Sequence, residues 1–213
     1  AELPRYTEHE VDRLVDLRHE LGLVLQEHLG GDEEAVDVLS QVLSWRPNHQ
    51  AAREAIESYL DDPALRHEVA EVLEPLFAVQ NQWERHVEVL EIQVEETEEE
   101  ETRTDLLENI AWVQLEEIGA PERSFEAWGR VLSEKPAHGT AREQLRRIAE
   151  GADLWRRLAE LFEDVSESLE DDELRRSYLF ELGSVYADRL DEPSMAEAYY
   201  HEILEDVPDS REA

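Results

Sequence analysis

The 213-residue chain has no cysteine, a single methionine (Met195), a single lysine (Lys135), and only 8 glycines and 8 prolines. Without cysteine there is no disulfide, no thiolate metal site and no cysteine nucleophile. With so few glycines and prolines, and with Leu, Ala, Glu and Arg dominant, helix is favoured along nearly the whole length. No segment reads as a strand. No apolar run approaches the roughly 18–20 residues that cross a bilayer. The opening residues Ala1-Glu2-Leu3-Pro4 do not resemble a signal peptide, and the absence of an initial Met points to a cleaved or excised start. The compartment therefore stays open, with the cytoplasm favoured.

Basic residues are also scarce, 20 against 55 acids, which leaves a formal charge of −35. Such a charge opposes compaction through self-repulsion and discourages nucleic acid, anionic lipid and acidic partners, while attracting basic ones. The near-exclusive use of Arg fits a GC-rich coding sequence, and the acidity fits a high-salt environment. Hydrophobic residues nonetheless make up 41% of the chain, enough for a core.

Those hydrophobic residues recur in a fixed frame. It runs Ala35, Leu39, Val42, Leu43, Pro47; again Ser124, Trp128, Val131, Leu132, Pro136; and again Ala196, Tyr200, Ile203, Leu204, Pro208. Trp83 and Trp155 open a second shared pattern and lie 72 residues apart, as do Ala111 and Gly183, and Pro136 and Pro208. Residues 83–136 and 155–208 are thus one unit written twice. Pro47 and Pro136 are 89 residues apart, so about 17 extra residues, one added helix, sit between Asn48 and Asn81. The organisation expected is a single helical repeat domain over 1–213. It comprises a half-unit at 7–47, an irregular insertion within 48–81, units at 83–136 and 137–208, and the start of a further repeat at 209–213. The truncated last repeat implies that the native protein continues.

Eleven helices are expected, near 7–29, 33–45, 49–60, 64–79, 83–97, 102–118, 122–134, 138–150, 154–168, 172–190 and 194–206. Thr7-x-x-Glu10 reads as a capping box and Asp32 as an N-cap, while Pro63, Pro121 and Pro193 suit first turns, where a missing N–H costs nothing. Short links imply antiparallel neighbours.

Within each Pro-ended half-unit, Leu21-Gly22, Ile110-Ala111 and Leu182-Gly183 are followed 13 residues after the small residue by Ala35, Ser124 and Ala196. This pattern resembles the tetratricopeptide repeat, with Leu-Gly in its first helix, small residues where its two helices cross, and Pro at the end of the second. The match is best over 18–47 and 171–208, and loosest over 49–97 and 138–168. The resemblance implies an all-α, right-handed superhelical solenoid that binds a partner peptide or helix on its concave face. Counting from the small residue, that face would carry His19, Leu23 and Gln26, then Glu108, Trp112 and Leu115, then Phe180, Ser184 and Ala187. These are not the Lys, Arg and Asn that clamp a C-terminal carboxylate in this family, so a mixed apolar and basic segment fits better. Trp83, Trp128, Trp155 and Tyr200 occupy frame positions and read as core.

Catalytic signals are weak. No His-Glu-x-x-His occurs, and no Glu precedes a His by three residues. Glu197, His201 and Glu205 share one helix face, an arrangement better read as solvated His–Glu pairs than as a metal site. Gly30-Gly31 and Gly151 follow no strand and so form no phosphate cradle, and Ser166 and Ser168 have no activating His. The acidic runs 95–101 and 170–173 fall one unit apart, read as exposed turns, and lack the spacing of a calcium loop. No enzyme activity, cofactor or metal is called for. A non-enzymatic protein-binding scaffold leads, followed by the repeat region of a larger enzyme or regulator and by an acidic nucleic-acid mimic that occupies a basic protein.

Overall fold

The computed structural model describes residues 8–29 and 31–206, and these form eleven helices and no strand. They are α1 (Glu8–Val24, continued by a wider π segment Leu25–Leu29), α2 (Asp32–Trp45), α3 (Gln50–Glu57, closed by a 3-10 turn Ser58–Asp61), α4 (Arg66–Val79), α5 (Trp83–Glu96), α6 (Glu100–Trp112, continued by a π segment Val113–Ile118), α7 (Pro121–Glu134), α8 (Gly139–Ala152), α9 (Trp155–Glu167), α10 (Asp172–Asp188) and α11 (Pro193–Asp206). Two helices, α3 and α4, occupy the inserted stretch where the later unit has α8 alone, so the added helix is real. The chain divides into two compact units, one ending at Arg103 and one beginning at Thr104. The repeated sequence unit and the compact unit therefore do not share boundaries.

In the first unit α1 and α2 form a hairpin whose closest approach is at Gly22, where a Cβ would meet Leu39 Cγ at 2.8 Å. Only a residue without a side chain fits there. Leu39, Val42 and Leu43 of α2 are fully or almost fully buried, together with Ala52 and Ile56 of α3 and Val69, Leu73 and Phe77 of α4. Helix α4 pairs with α5, and Arg66 near its start meets Glu95 and Glu96 at the end of α5. Buried His86 of α5 lies 2.7 Å from the Glu74 carboxylate.

In the second unit α10 packs between α9 and α11. A Cβ on Gly183 would lie 2.5 Å from Tyr200 Cε1, the same close crossing as at Gly22. The intermediate repeat solves the crossing differently. Ser124 of α7 is fully buried and its hydroxyl donates to the Ala111 carbonyl of α6 at 2.7 Å, while Trp128 is sealed beneath Trp112, edge to face at 5.6 Å. Three helices meet at Glu163 of α9, whose carboxylate accepts from Tyr186 of α10 at 2.7 Å and from Tyr199 of α11 at 2.6 Å. Burial, then the bond to Glu163, pushes the Tyr186 hydroxyl up to about 12, and the same causes raise Tyr199.

Several local expectations change. Asp32 is the first residue of α2 and Gly31 its N-cap; the Asp32 carboxylate instead accepts from the Tyr59 hydroxyl at 3.1 Å. Pro63 belongs to the turn before α4, where Asp62 Oδ1 accepts from the Ala64 N–H at 2.9 Å, and the helix begins at Arg66. Pro121 and Pro193 do open α7 and α11. Among the frame aromatics only Trp128 is fully buried. Trp83, Trp155 and Tyr200 are half-buried, because a helix-opening or outer-helix position leaves one ring face uncovered. Thr7, Gly30, Pro208 and residues 209–213 lie outside the described residues.

Replacing Gly22 with Val drives methyl groups into Leu39 and should lower the free energy of unfolding by about 1–3 kcal/mol. Gly151→Ala, in a helix with open space around its Cβ position, should raise it by up to about 1 kcal/mol. Urea denaturation of the two variants beside the parent chain measures both.

Candidate partner-binding surface

The nine residues counted from the small position fall into three sets with different surroundings. In the first unit His19 is half-buried against His49 at the start of α3, ring centroids 4.7 Å apart, and Gln26 donates to the Ser58 hydroxyl at 2.9 Å. Leu23, between them on α1, is half-buried. In the second unit Glu108 pairs with His138 at 2.8 Å, Trp112 covers Trp128, and Leu115 lines a recess with Pro121 and Ile148. These residues are occupied by the helix that follows their hairpin.

The sequence signal for this occupation is Pro-x-His. Pro47-Asn48-His49 and Pro136-Ala137-His138 occupy equivalent positions, and each His caps the next helix by accepting from a backbone N–H through Nδ1: Ala52 at 3.1 Å for His49, Ala141 at 3.2 Å for His138. Nδ1 as acceptor leaves the proton on Nε2, which is the atom His138 presents to Glu108. The capping role of the two histidines was legible in that spacing but not read from it.

The third set is open. Phe180 is 62% exposed, with its ring tilted against Tyr200 at 5.9 Å. Ser184, one turn further along α10, lines a groove of about 420 Å³ with Arg146 of α8, Trp155 of α9, and Glu181, Asp188 and Arg189 of α10. The groove walls are held by charge. Glu181 takes Arg142 and, at 3.4 Å, Arg146; Arg189 lies over the Trp155 ring at 4.5 Å and reaches Glu150 at 3.3 Å; Ser184 donates to Asp188 at 3.1 Å. Arg142 also lies over the Tyr178 ring at 4.2 Å, while Tyr178 donates to the Pro136 carbonyl at 2.7 Å. Burial pushes that hydroxyl up to about 12. Exposed Ala187 borders a second, apolar recess of about 330 Å³ with Ala196, Tyr200 and Leu204. Arg146, Arg189 and Trp155 were not among the residues counted from the small position, because they come from neighbouring helices that the repeat brings alongside α10.

His201 lies 3.8 Å from Glu197 on an exposed face, and among the described residues no three His, Asp or Glu side chains are placed to hold a metal ion. Asp171 caps α10, accepting from the Glu173 and Leu174 N–H groups, so the acidic stretch 170–173 is a helix start with an exposed surround. No described helix is long and apolar enough to cross a membrane.

Hairpins that cross at Gly22 and Gly183, a buried serine at the intermediate crossing, and a second helix ending where the frame proline stands decide the architecture. This is a tetratricopeptide-like helical repeat. No family model and no curated protein matches the sequence. Solved structures similar to it include PilF of Pseudomonas aeruginosa, at 15% identity and TM-score 0.36, over 93% of this chain and 94% of that one. They also include the kinesin light chain TPR-like repeats of Podosopora anserina, at 20% identity and TM-score 0.34, over 94% and 99%. A human IFIT1 dimer with m7Gppp-AAAA is similar at 13% identity and TM-score 0.34, over 91% of this chain and 50% of that one.

Burial, followed by the neighbouring His49, holds the His19 imidazole below 6.5 in the tetratricopeptide-like hairpin. A lowered base pKa means that the unfolded chain takes up its proton first as pH falls, so this contribution to stability is present above about 6.5 and is lost below it. The NMR titration midpoint of His19 should lie below 6.5 and move upward in His49→Asn.

Proposed function

We propose that the chain is a non-enzymatic interaction scaffold that holds a peptide or helix of a partner protein along α10. The observation that carries this reading is the exposed Phe180 one turn from a groove that combines a tryptophan face, two arginines and two carboxylates. An aromatic anchor beside fixed charges suits a segment with an apolar side chain and flanking charge, and large aromatic and Arg side chains are where binding energy concentrates. The net charge of −35 favours a mixed apolar and basic segment over an acidic one. The same charge disfavours nucleic acid and membrane surfaces as partners.

The first-unit residues His19, Leu23 and Gln26, and Glu108, Trp112 and Leu115 in the second, are engaged with the following helices. A partner reaching them meets a surface already part-filled, so the reading rests on Phe180, Ser184 and Ala187. An acidic mimic would instead need only its carboxylates. Binding by mimicry would collapse with salt and ignore Phe180.

A peptide library displayed on phage and selected on the immobilised chain tests the reading. Selected peptides should carry an apolar residue near Arg or Lys, and Phe180→Ala together with Arg189→Ala should weaken them at least about tenfold, with the far-ultraviolet circular dichroism unchanged. Peptides whose affinity ignores both substitutions would overturn it.

A further inference from the structure

Within the second unit, α9 closes on α7 through two side chains four residues apart. Arg157 pairs with Glu126 at 3.1 Å and lies over the Phe125 ring at 5.3 Å. Leu161 sits over Gly129, where a Cβ would be 3.5 Å from its Cδ2, so that a small side chain is accommodated at ordinary contact distance. An Arg-x-x-x-Leu helix therefore fills the outer side of α7.

The 89-residue offset puts Val36, Asp37 and Ser40 of α2 at the places of Phe125, Glu126 and Gly129. The acid and the small residue are both retained. No helix of the first unit fills the place. Arg85, the counterpart of Arg157, is turned to Glu57 and Glu88, and the added helix α4 stands off from α2. What remains is a groove of about 510 Å³, with Asp37, Ser40 and Leu43 on the α2 side and Glu71, Val72 and Leu76 on the α4 side. Asp37 is exposed and makes no ion pair among the described residues, and the Ser40 hydroxyl oxygen is buried without a hydrogen-bond partner. Val79, one turn beyond Leu76 on α4, is 82% exposed.

We infer that the groove between α2 and α4 is a second docking site, for an amphipathic helix of a partner protein that presents Arg four residues before Leu. The Leu enters over Ser40 and Leu43 as Leu161 enters over Gly129. The Arg reaches Asp37 as Arg157 reaches Glu126, with Glu71 on the opposite wall adding to the attraction. Two carboxylates flanking an apolar floor reject an acidic helix at the same place. This site is separate from the Phe180 surface and stands or falls independently of it.

The probe is a fluorescein-labelled, hydrocarbon-stapled 16-residue helix of Ala and Gln that carries one Arg-x-x-x-Leu pair, followed by anisotropy at about 0.15 M salt, where charges are screened beyond about 8 Å. Saturable binding is expected. Replacing the peptide Leu by Ala should weaken it at least about tenfold, the scale of one buried leucine. Asp37→Arg should reduce binding of the Arg peptide and favour a Glu-x-x-x-Leu peptide in its place, Ser40→Leu should block both, and Phe180→Ala should change neither. Circular dichroism confirms that each variant is folded. No binding at millimolar peptide, equal affinity for the Leu and Ala peptides, or indifference to both Asp37→Arg and Ser40→Leu overturns the assignment.

Discussion

The close crossing of two helices at a position without room for a side chain is the constraint on which the hairpins depend. At Gly22 and Gly183 the missing Cβ lets Leu39 and Tyr200 lie directly on the opposing backbone. Close approach then brings the rest of both apolar stripes together, which explains why Leu39, Val42 and Leu43 bury so completely on a helix of only 14 residues. Burying each such side chain contributes about 1.5–3 kcal/mol. The intermediate repeat tolerates Ala111 because its partner position is a serine that turns steric contact into a hydrogen bond. Small size at the crossing is the requirement; glycine is one way to meet it.

Charge is the second constraint, and the structure handles it by placement. Arginines recur where one helix meets another: Arg66 to α5, Arg157 to α7, Arg142 and Arg146 to α10, Arg156 to Glu192 before α11, Arg175 to α11. A single exposed pair of this kind contributes little, about 0–1 kcal/mol. In a chain of charge −35 their effect is also to remove acid–acid repulsion from the seams where helices pack. The acidic excess is left on turns, as at residues 98–101 and 170–173, where solvent screens it. Arg suits seam positions better than Lys because its planar head pairs with a carboxylate and covers an aromatic ring at once, as Arg142 does with Glu181 and Tyr178.

The helices were legible because apolar periodicity and repeat offsets reinforce one another; a boundary poorly marked in one repeat is marked in another. Asp32 and Pro63 were misplaced because neither has a counterpart in the other repeats, leaving only local propensity to judge by. Propensity alone does not reveal that Asp32 is drawn to Tyr59, 27 residues away. The surface was less legible than the core for a related reason. The count from the small residue says where a side chain points from its own helix, but not whether the next helix arrives with His49 or His138 to cover it. Phe180 stands apart because, among the described residues, no such histidine meets it. The groove beside it draws residues from three helices, a conjunction that no linear spacing records.

A repeat supplies its own control for reading function. Positions that every copy fills alike, such as Leu39, Trp128 and Tyr200 opposite the small residue, serve the hairpin and say nothing about partners. Positions where the copies keep the same chemistry but differ in what meets it carry more information. Asp37 and Glu126 are both acidic and both exposed on the second helix of a hairpin, yet only Glu126 has an arginine from its own chain. The difference arises from about 17 residues that add a helix and redirect Arg85, not from any change in the wall itself. An insertion that leaves the receiving surface intact while withdrawing its occupant changes an internal packing contact into an open one. This is a physical route by which a scaffold acquires a binding groove without new chemistry on the receiving helix.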